Sequence, residues 1–239
     1  MKKIFISLLF TGAVLFAAAQ KEIVNDPNVE ARTISGSFSS IKISGGIDLF
    51  LSAGAEEAVA VSANENKFKA GIKTEVVNGT LKIYYEGDKA WNGWKNRKLR
   101  VYVAFKKLEK LDVSGACDVQ VSGVITVPSL SLFLSGSSDF KGAVIVTDLK
   151  LDLSGASDVK ISGMATSVTI ESSGASDVKG KDLHADFCTA KASGASDIFI
   201  TVNKELNANA SGSSDILYSG EAVIKEMHSS STSSVVKKS

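Results

Sequence analysis

The sequence predicts an all-β solenoid, and three observations carry that prediction. First, a pentapeptide recurs six times: Ser114-Gly-Ala-Cys-Asp118, Ser135-Gly-Ser-Ser-Asp139, Ser154-Gly-Ala-Ser-Asp158, Ser173-Gly-Ala-Ser-Asp177, Ser193-Gly-Ala-Ser-Asp197 and Ser211-Gly-Ser-Ser-Asp215, at steps of 21, 19, 19, 20 and 18 residues. Second, the residues one, three and five places before these turns are apolar or small, as in Leu130/Leu132/Leu134, Leu149/Leu151/Leu153, Cys188/Ala190/Ala192 and Leu206/Ala208/Ala210, with polar residues such as Lys150, Asp152, Lys191 and Asn209 between them. That is the period of two of a strand with one buried face. Third, the residue five places after each leading Ser is apolar again: Val119, Phe140, Val159, Val178, Ile198 and Ile216. A second strand therefore leaves each turn, and the Gly of the pentapeptide supplies the positive φ of a corner.

A strand, a corner and a strand every ~19 residues describe one rung, and because no rung buries its face alone, stacking must make the core. Stacked rungs bring identical residues into columns, about 4.8 Å apart. The inner columns shrink from Leu to Ala after Val168, which predicts an interior that narrows toward the C-terminus. Evenly spaced strands also mark β-sandwiches; the near-identity of the corners speaks against one, since sandwich turns vary.

The elements follow in order. Residues 1–19 read as a signal peptide, with Lys2 and Lys3 ahead of an apolar run and Ala17-Ala18-Ala19 at its exit. The run is short of the ~20 apolar residues of a bilayer span, and no second one follows, so an exported protein without a transmembrane segment is expected. Residues 20–36 form an N-terminal lead. Residues 37–113 are β-rich but read as out of register with the repeat, a region that caps or leads into the solenoid. Its expected strands are Phe38–Ile43, Ile47–Leu51, Ala58–Val61, Ile72–Val77, Leu81–Tyr85 and Leu99–Phe105, with one short helical turn over Glu65–Gly71 and a hairpin at Asn78-Gly79. Residues 114–218 hold the six repeats, and residues 219–239 are expected to form a cap or tail over the last rung, whose open edge would otherwise aggregate.

At these residues the chain resembles a known family, the putative auto-transporter adhesin head GIN domain of exported proteins from Bacteroidetes-type bacteria. Gly46-Ile47-Asp48 matches its Gly-Ile-Asn/Asp signature and the Ser-Gly-Ala-Ser-Asp ladder matches its later repeats, so the resemblance spans roughly residues 37–218. It implies a right-handed parallel β-helix-like fold and an adhesin-like role. No residues are left for an outer-membrane barrel, so periplasm, outer-membrane surface and medium are the expected destinations.

Composition narrows the chemistry. Among 239 residues, 27 Lys and Arg balance 26 Asp and Glu, and there are only two His, two Cys and two Pro. A near-neutral chain does not suit nucleic acid. His184 and His228 fall outside the repeat, so the corner serines have no partner base for nucleophilic catalysis, and a non-enzymatic protein with no cofactor and no metal is expected. Asp118, Asp139, Asp158, Asp177, Asp197 and Asp215 should stack as a column of like charges. They could hold Ca²⁺, but hydrogen bonding to the amides of their own turns is the favoured reading. Lys141, Lys160 and Lys179 follow two residues later on the same outer face and offset the charge. Cys117 and Cys188 fall several rungs apart, too far for a disulfide, so two free thiols are expected, Cys188 buried. The candidate ligand contact is the loop carrying Trp91, Trp94, Lys95 and Arg97, whose aromatic and basic groups suit sugar rings or headgroups. The expected partner is a glycan or, on the second reading, another envelope protein.

Overall fold

The computed structural model describes residues 26–87, 97–230 and 232–238; the expected signal peptide lies outside them. The chain is a β-solenoid of about 7 turns with ~19-residue spacing. Its central strands are β9 (Asp118–Leu134), β10 (Asp139–Leu153), β11 (Asp158–Ser172), β12 (Asp177–Ala192) and β13 (Asp197–Ala210). They pair in parallel in that order, with Asp139 beside Asp118 and Asp158, and Leu151 beside Leu132 and Ile170. The sequence shows one sharp corner per rung, and the structure adds two bends inside each long strand. In β10 the inward residues Phe140, Val144, Val146 and then Leu149, Leu151, Leu153 are buried; the strand shifts register against β9 at Lys141–Ala143, and its period of two slips at Thr147-Asp148. Each rung thus has three sides: a first side leaving Asp, a middle side, and a third side entering the next Ser.

The first bend also explains the uneven repeat. The register shifts among β9, β10, β11 and β12 fall there, between Lys141 and Ala143 and between Lys160 and Gly163, as does one between β12 and β13, between Gly180 and His184. The final shortening adds a compensating shift between Ala185 and Phe187, so length differences are absorbed there and the corners stay aligned. Inside, Leu132, Leu151, Ile170, Ala190 and Ala208 form one column, none more than 2% exposed. Alanines buried this completely require a slimmer interior in the later rungs, in line with the shrinking column.

Part of the N-terminal region is itself solenoid, against the out-of-register expectation. β2 (Ser40–Ser44) lies parallel to β8 (Lys110–Ser114) with Ser44 beside Ser114, and β3 (Asp48–Ala53) lies parallel to β9 with Leu49 beside Val119. Ser44-Gly-Gly-Ile-Asp48 is therefore a seventh corner in the same column, and Gly45 and Gly46 both have positive φ. One layer further out, β6 (Thr80–Tyr85) and β7 (Leu99–Phe105) run parallel to β2 and β3. Beyond them the direction reverses, because β4 (Ala58–Ala63) is antiparallel to β7 and β5 (Ile72–Val77) to β6 through the Asn78-Gly79 hairpin. With β1 (Glu30–Arg32), which is antiparallel to β4, and the one helix among the described residues, α1 (Asn66–Gly71), these strands end the parallel ladder.

The other end differs from its expected cap. After β14 (Asp215–Ser219), strands β15 (Val223–Ser229) and β16 (Ser234–Lys237) add one more rung, with Ser234 beside Asp215 and Ser229 beside Ala210. No strand among the described residues pairs the far side of either, and Met227, next to buried Ala208, is 52% exposed.

Candidate functional site

The corner column is the most regular surface feature, and its chemistry is spent on stacking. The Ala156 amide donates to the Gly136 carbonyl at 2.8 Å, the Ala175 amide to Gly155 at 2.8 Å, and the Ala195 amide to Gly174 at 2.7 Å. The fourth corner position points inward: Ser138, Ser157, Ser176, Ser196 and Ser214 are fully buried. Their hydroxyls are satisfied within the fold. Ser157 Oγ donates to the Ser154 carbonyl at 3.1 Å and accepts from the Ser138 amide at 3.4 Å. Ser214 Oγ donates to the Ser211 carbonyl at 2.8 Å. Buried hydroxyls occupied in this way are not poised as nucleophiles, and the two histidines are exposed on different sides, His184 on the middle side and His228 on the third.

The aspartates bond differently from expectation. Asp177 Oδ1 accepts from the Asp197 amide at 3.3 Å and Asp197 Oδ1 from the Asp215 amide at 3.1 Å, so each carboxylate reaches the next rung rather than its own turn. The reason is that a corner's own amides already donate to the carbonyls of the preceding rung, as the Asp158 amide does to Ser138 at 3.1 Å. The column ends in non-acidic neighbours: Arg100 stands beside Asp48 at one end, and at the other Ser234 Oγ donates to Asp215 Oδ1 at 2.7 Å. Burial and the charges of Asp118 and Asp158 push the Asp139 carboxyl up from its ordinary value, and burial and Asp118 do the same to Asp48. Of the three lysines expected to offset this charge, Lys179 makes ion pairs, 2.6 Å to Asp158 and 3.8 Å to Asp177, and the Asp158 contact raises its own pKa. Among the described residues, no three His, Cys, Asp or Glu side chains converge as a metal site.

Both cysteines are free and buried. Cys117 occupies the inward corner position that serine fills elsewhere, its Sγ 3.4 Å from the Ser114 carbonyl, and burial pushes its thiol up. Burial alone pushes the Cys188 thiol up to about 12. Since the thiolate is the reactive form, neither cysteine should titrate with Ellman's reagent at pH 8 in the folded protein, and both should do so in denaturant; rapid labelling of the native protein would contradict this placement.

Trp91, Trp94 and Lys95 lie outside the described residues. Arg97 is described, and its guanidinium packs over the Tyr85 ring at 4.4 Å and the Phe68 ring at 5.9 Å. The strands on either side of it, β6 and β7, lie on the third and first sides of their rung.

The structure draws attention to a place that the sequence reading passed over, on the outer surface of the third side. There Phe133 of β9 is bracketed by residues from the two adjacent strands: Lys110 of β8 sets its ammonium 4.9 Å from the ring centroid and Lys150 of β10 sets its own at 5.4 Å. Beside it a groove of about 360 Å³ is lined by Ser40, Lys42, Asn78, Lys82, Lys110 and Asp112. The residues are separated by up to 72 positions in sequence, and only the pairing of β2 with both β6 and β8 brings them together. A larger groove, about 590 Å³, lies between β1, α1 and β5, where Glu30 pairs with Arg32 and, at 3.3 Å, with Lys69.

Residues 37–222 match the family described as putative auto-transporter adhesin, head GIN domain. The chain belongs to that family. The tripeptide of the head GIN domain now has a structural meaning in this chain. Gly46-Ile47-Asp48 is the first corner of the column, with Ile47 fully buried where later corners place Cys117 or Ser. Solved structures share the head GIN fold. A putative adhesin from Bacteroides fragilis superimposes with a TM-score of 0.81 at 19% identity, covering 89% of this chain and 98% of that one. A putative adhesin from Parabacteroides distasonis gives 0.69 at 20% identity over 87% and 97%. A protein from the same species described as a putative lipid binding protein gives 0.64 at 20% identity over 90% and 98%. No curated protein matches the chain.

Proposed function

We propose that this head GIN domain is an exported, non-catalytic binding module of adhesin type that holds glycan on the outer surface of its third side. The observation that carries the proposal is the Phe133 ring, presented on a rigid sheet between two lysines. A flat surface with an aromatic ring and polar neighbours suits a sugar, which has apolar faces and hydroxyl edges. Ser131, Thr169 and Thr189 extend the polar surface along neighbouring rungs. Trp91 and Trp94 are proposed as a second contact. Family membership supports the adhesin reading, and the periplasm, the outer-membrane surface and the medium all suit it; among the described residues no helix is long and apolar enough to cross a membrane.

The test is a glycan array probed with the wild-type protein and the Phe133→Ala variant, both checked for native β-sheet by circular dichroism. Saturable binding to at least one glycan, weakened about three- to tenfold in the variant, is the expected result. Folded protein that retains no glycan would overturn the proposal.

A second reading, a scaffold that pairs with other chains, is favoured by the free edges of β15 and β16 and by the exposure of Val223, Met227 and Val236 there. Concentration-dependent association in the absence of glycan would support it.

A further inference from the structure

The inference below rests on the glycan-binding reading and names the class of glycan. We propose that the third-side groove takes an acidic polysaccharide lying along the solenoid axis, across the strands. Lys150, Phe133, Lys110, Lys42 and Lys82 stand on five successive neighbours, β10, β9, β8, β2 and β6. Four strand spacings of about 4.8 Å give a track about 19 Å long. Its cations outnumber its anions. Lys42 is held by Asp112 at 2.9 Å and Lys150 more loosely by Asp152 at 3.8 Å. Among the described residues, Lys82 and Lys110 have no carboxylate within ion-pair distance.

Lys110 and Lys150 approach the Phe133 ring from the two neighbouring strands. A carboxylate beside the ring would accept a charge-assisted hydrogen bond from either ammonium. A neutral sugar would make no such ion pair. The other lysine-rich surfaces are less suited. Lys141, Lys160 and Lys179 stand beside the acidic corner column, and Lys69 and Arg32 of the larger N-terminal groove share Glu30. From Asp152 of β10 to Glu171 of β11 the third side turns acidic, Glu171 being taken by Lys191 at 3.1 Å, so the cationic track ends at β10.

Affinity electrophoresis in gels containing polygalacturonate, a chain of carboxylated sugars, or dextran, a neutral one, tests the inference. Polygalacturonate should retard the wild-type protein, dextran should retard it less, and added salt should abolish the difference. Lys110→Ala and Lys150→Ala should each weaken polygalacturonate binding about tenfold, whereas Lys237→Ala/Lys238→Ala, at the far end, should not. Binding to polygalacturonate that survives loss of both Lys110 and Lys150 overturns the inference, as does retardation by dextran alone, which leaves the glycan reading standing. A folded protein retarded by neither, and blank on the glycan array, removes both. Sedimentation with phosphatidylglycerol vesicles in the absence of polygalacturonate binding likewise overturns the inference and redirects the site to a lipid surface.

Discussion

Gly155→Ala should destabilise the protein by about 2–5 kcal/mol, measured as a lowered urea midpoint at unchanged slope. Two independent costs combine. At φ 81° an alanine would occupy the left-handed region, which is unfavourable by about 1–2 kcal/mol for a residue with a Cβ. That Cβ would also stand 2.4 Å from the Gly136 carbonyl oxygen and 3.0 Å from the Gly136 nitrogen. The oxygen it meets accepts the Ala156 amide at 2.8 Å, so the rungs cannot part locally without losing the bond that joins them. Gly79→Ala is the matched control: its φ is 72°, but a Cβ there meets nothing within 4 Å. It should cost only the conformational part, about 1–2 kcal/mol. Equal losses at the two sites would show that rung stacking does not constrain the glycine column.

Leu151→Ala is expected to cost about 3–5 kcal/mol, the upper part of the range for a buried leucine. The spread within that range reflects how far the surroundings can collapse into the cavity. Here they cannot collapse far. Leu151 is fully buried between Leu132 and Ile170, and both neighbours belong to strands hydrogen-bonded to its own. Ala190→Leu tests the same column in the opposite sense. The slimmer interior beside Cys188 and Ala208 leaves no room for the larger side chain, so overpacking should cost about 1–3 kcal/mol. A Leu151→Ala loss below about 2 kcal/mol would mean that the rungs slide to refill the space.

The central rungs were legible because two periods reinforce each other: alternation within a strand and recurrence of the corner. Ser44–Asp48 escaped because its partner in space, Ser114–Asp118, lies 70 residues away in sequence, behind two hairpin-like excursions. Its own pentapeptide holds Gly46 and Ile47 where the later corners hold Ala or Ser and mostly Ser. The last rung escaped for a different reason. Ser230–Ser234 has lost both Gly and Asp, and with them the marks of a corner. Of the two bends within each strand, the second leaves only a slip in phase, and the first leaves none in β10 or β11. The lysine–phenylalanine site was not legible at all. Lys110, Phe133 and Lys150 carry no motif, and what unites them is the pairing of β8, β9 and β10. The one signal available was Phe133 at an outward position where the equivalent residues are Asp112 and Asp152.

The bend that absorbs length differences makes this protein a natural display rail. Corners and columns hold their alignment whether a rung gives that bend one residue more or fewer, as the parallel pairing on both sides of Lys160–Gly163 shows. Foreign peptides spliced there would project in single file from one edge of a stiff rod, each a strand's width from the next. The spacing of the guests would then be fixed by the backbone ladder and not by their own sequences.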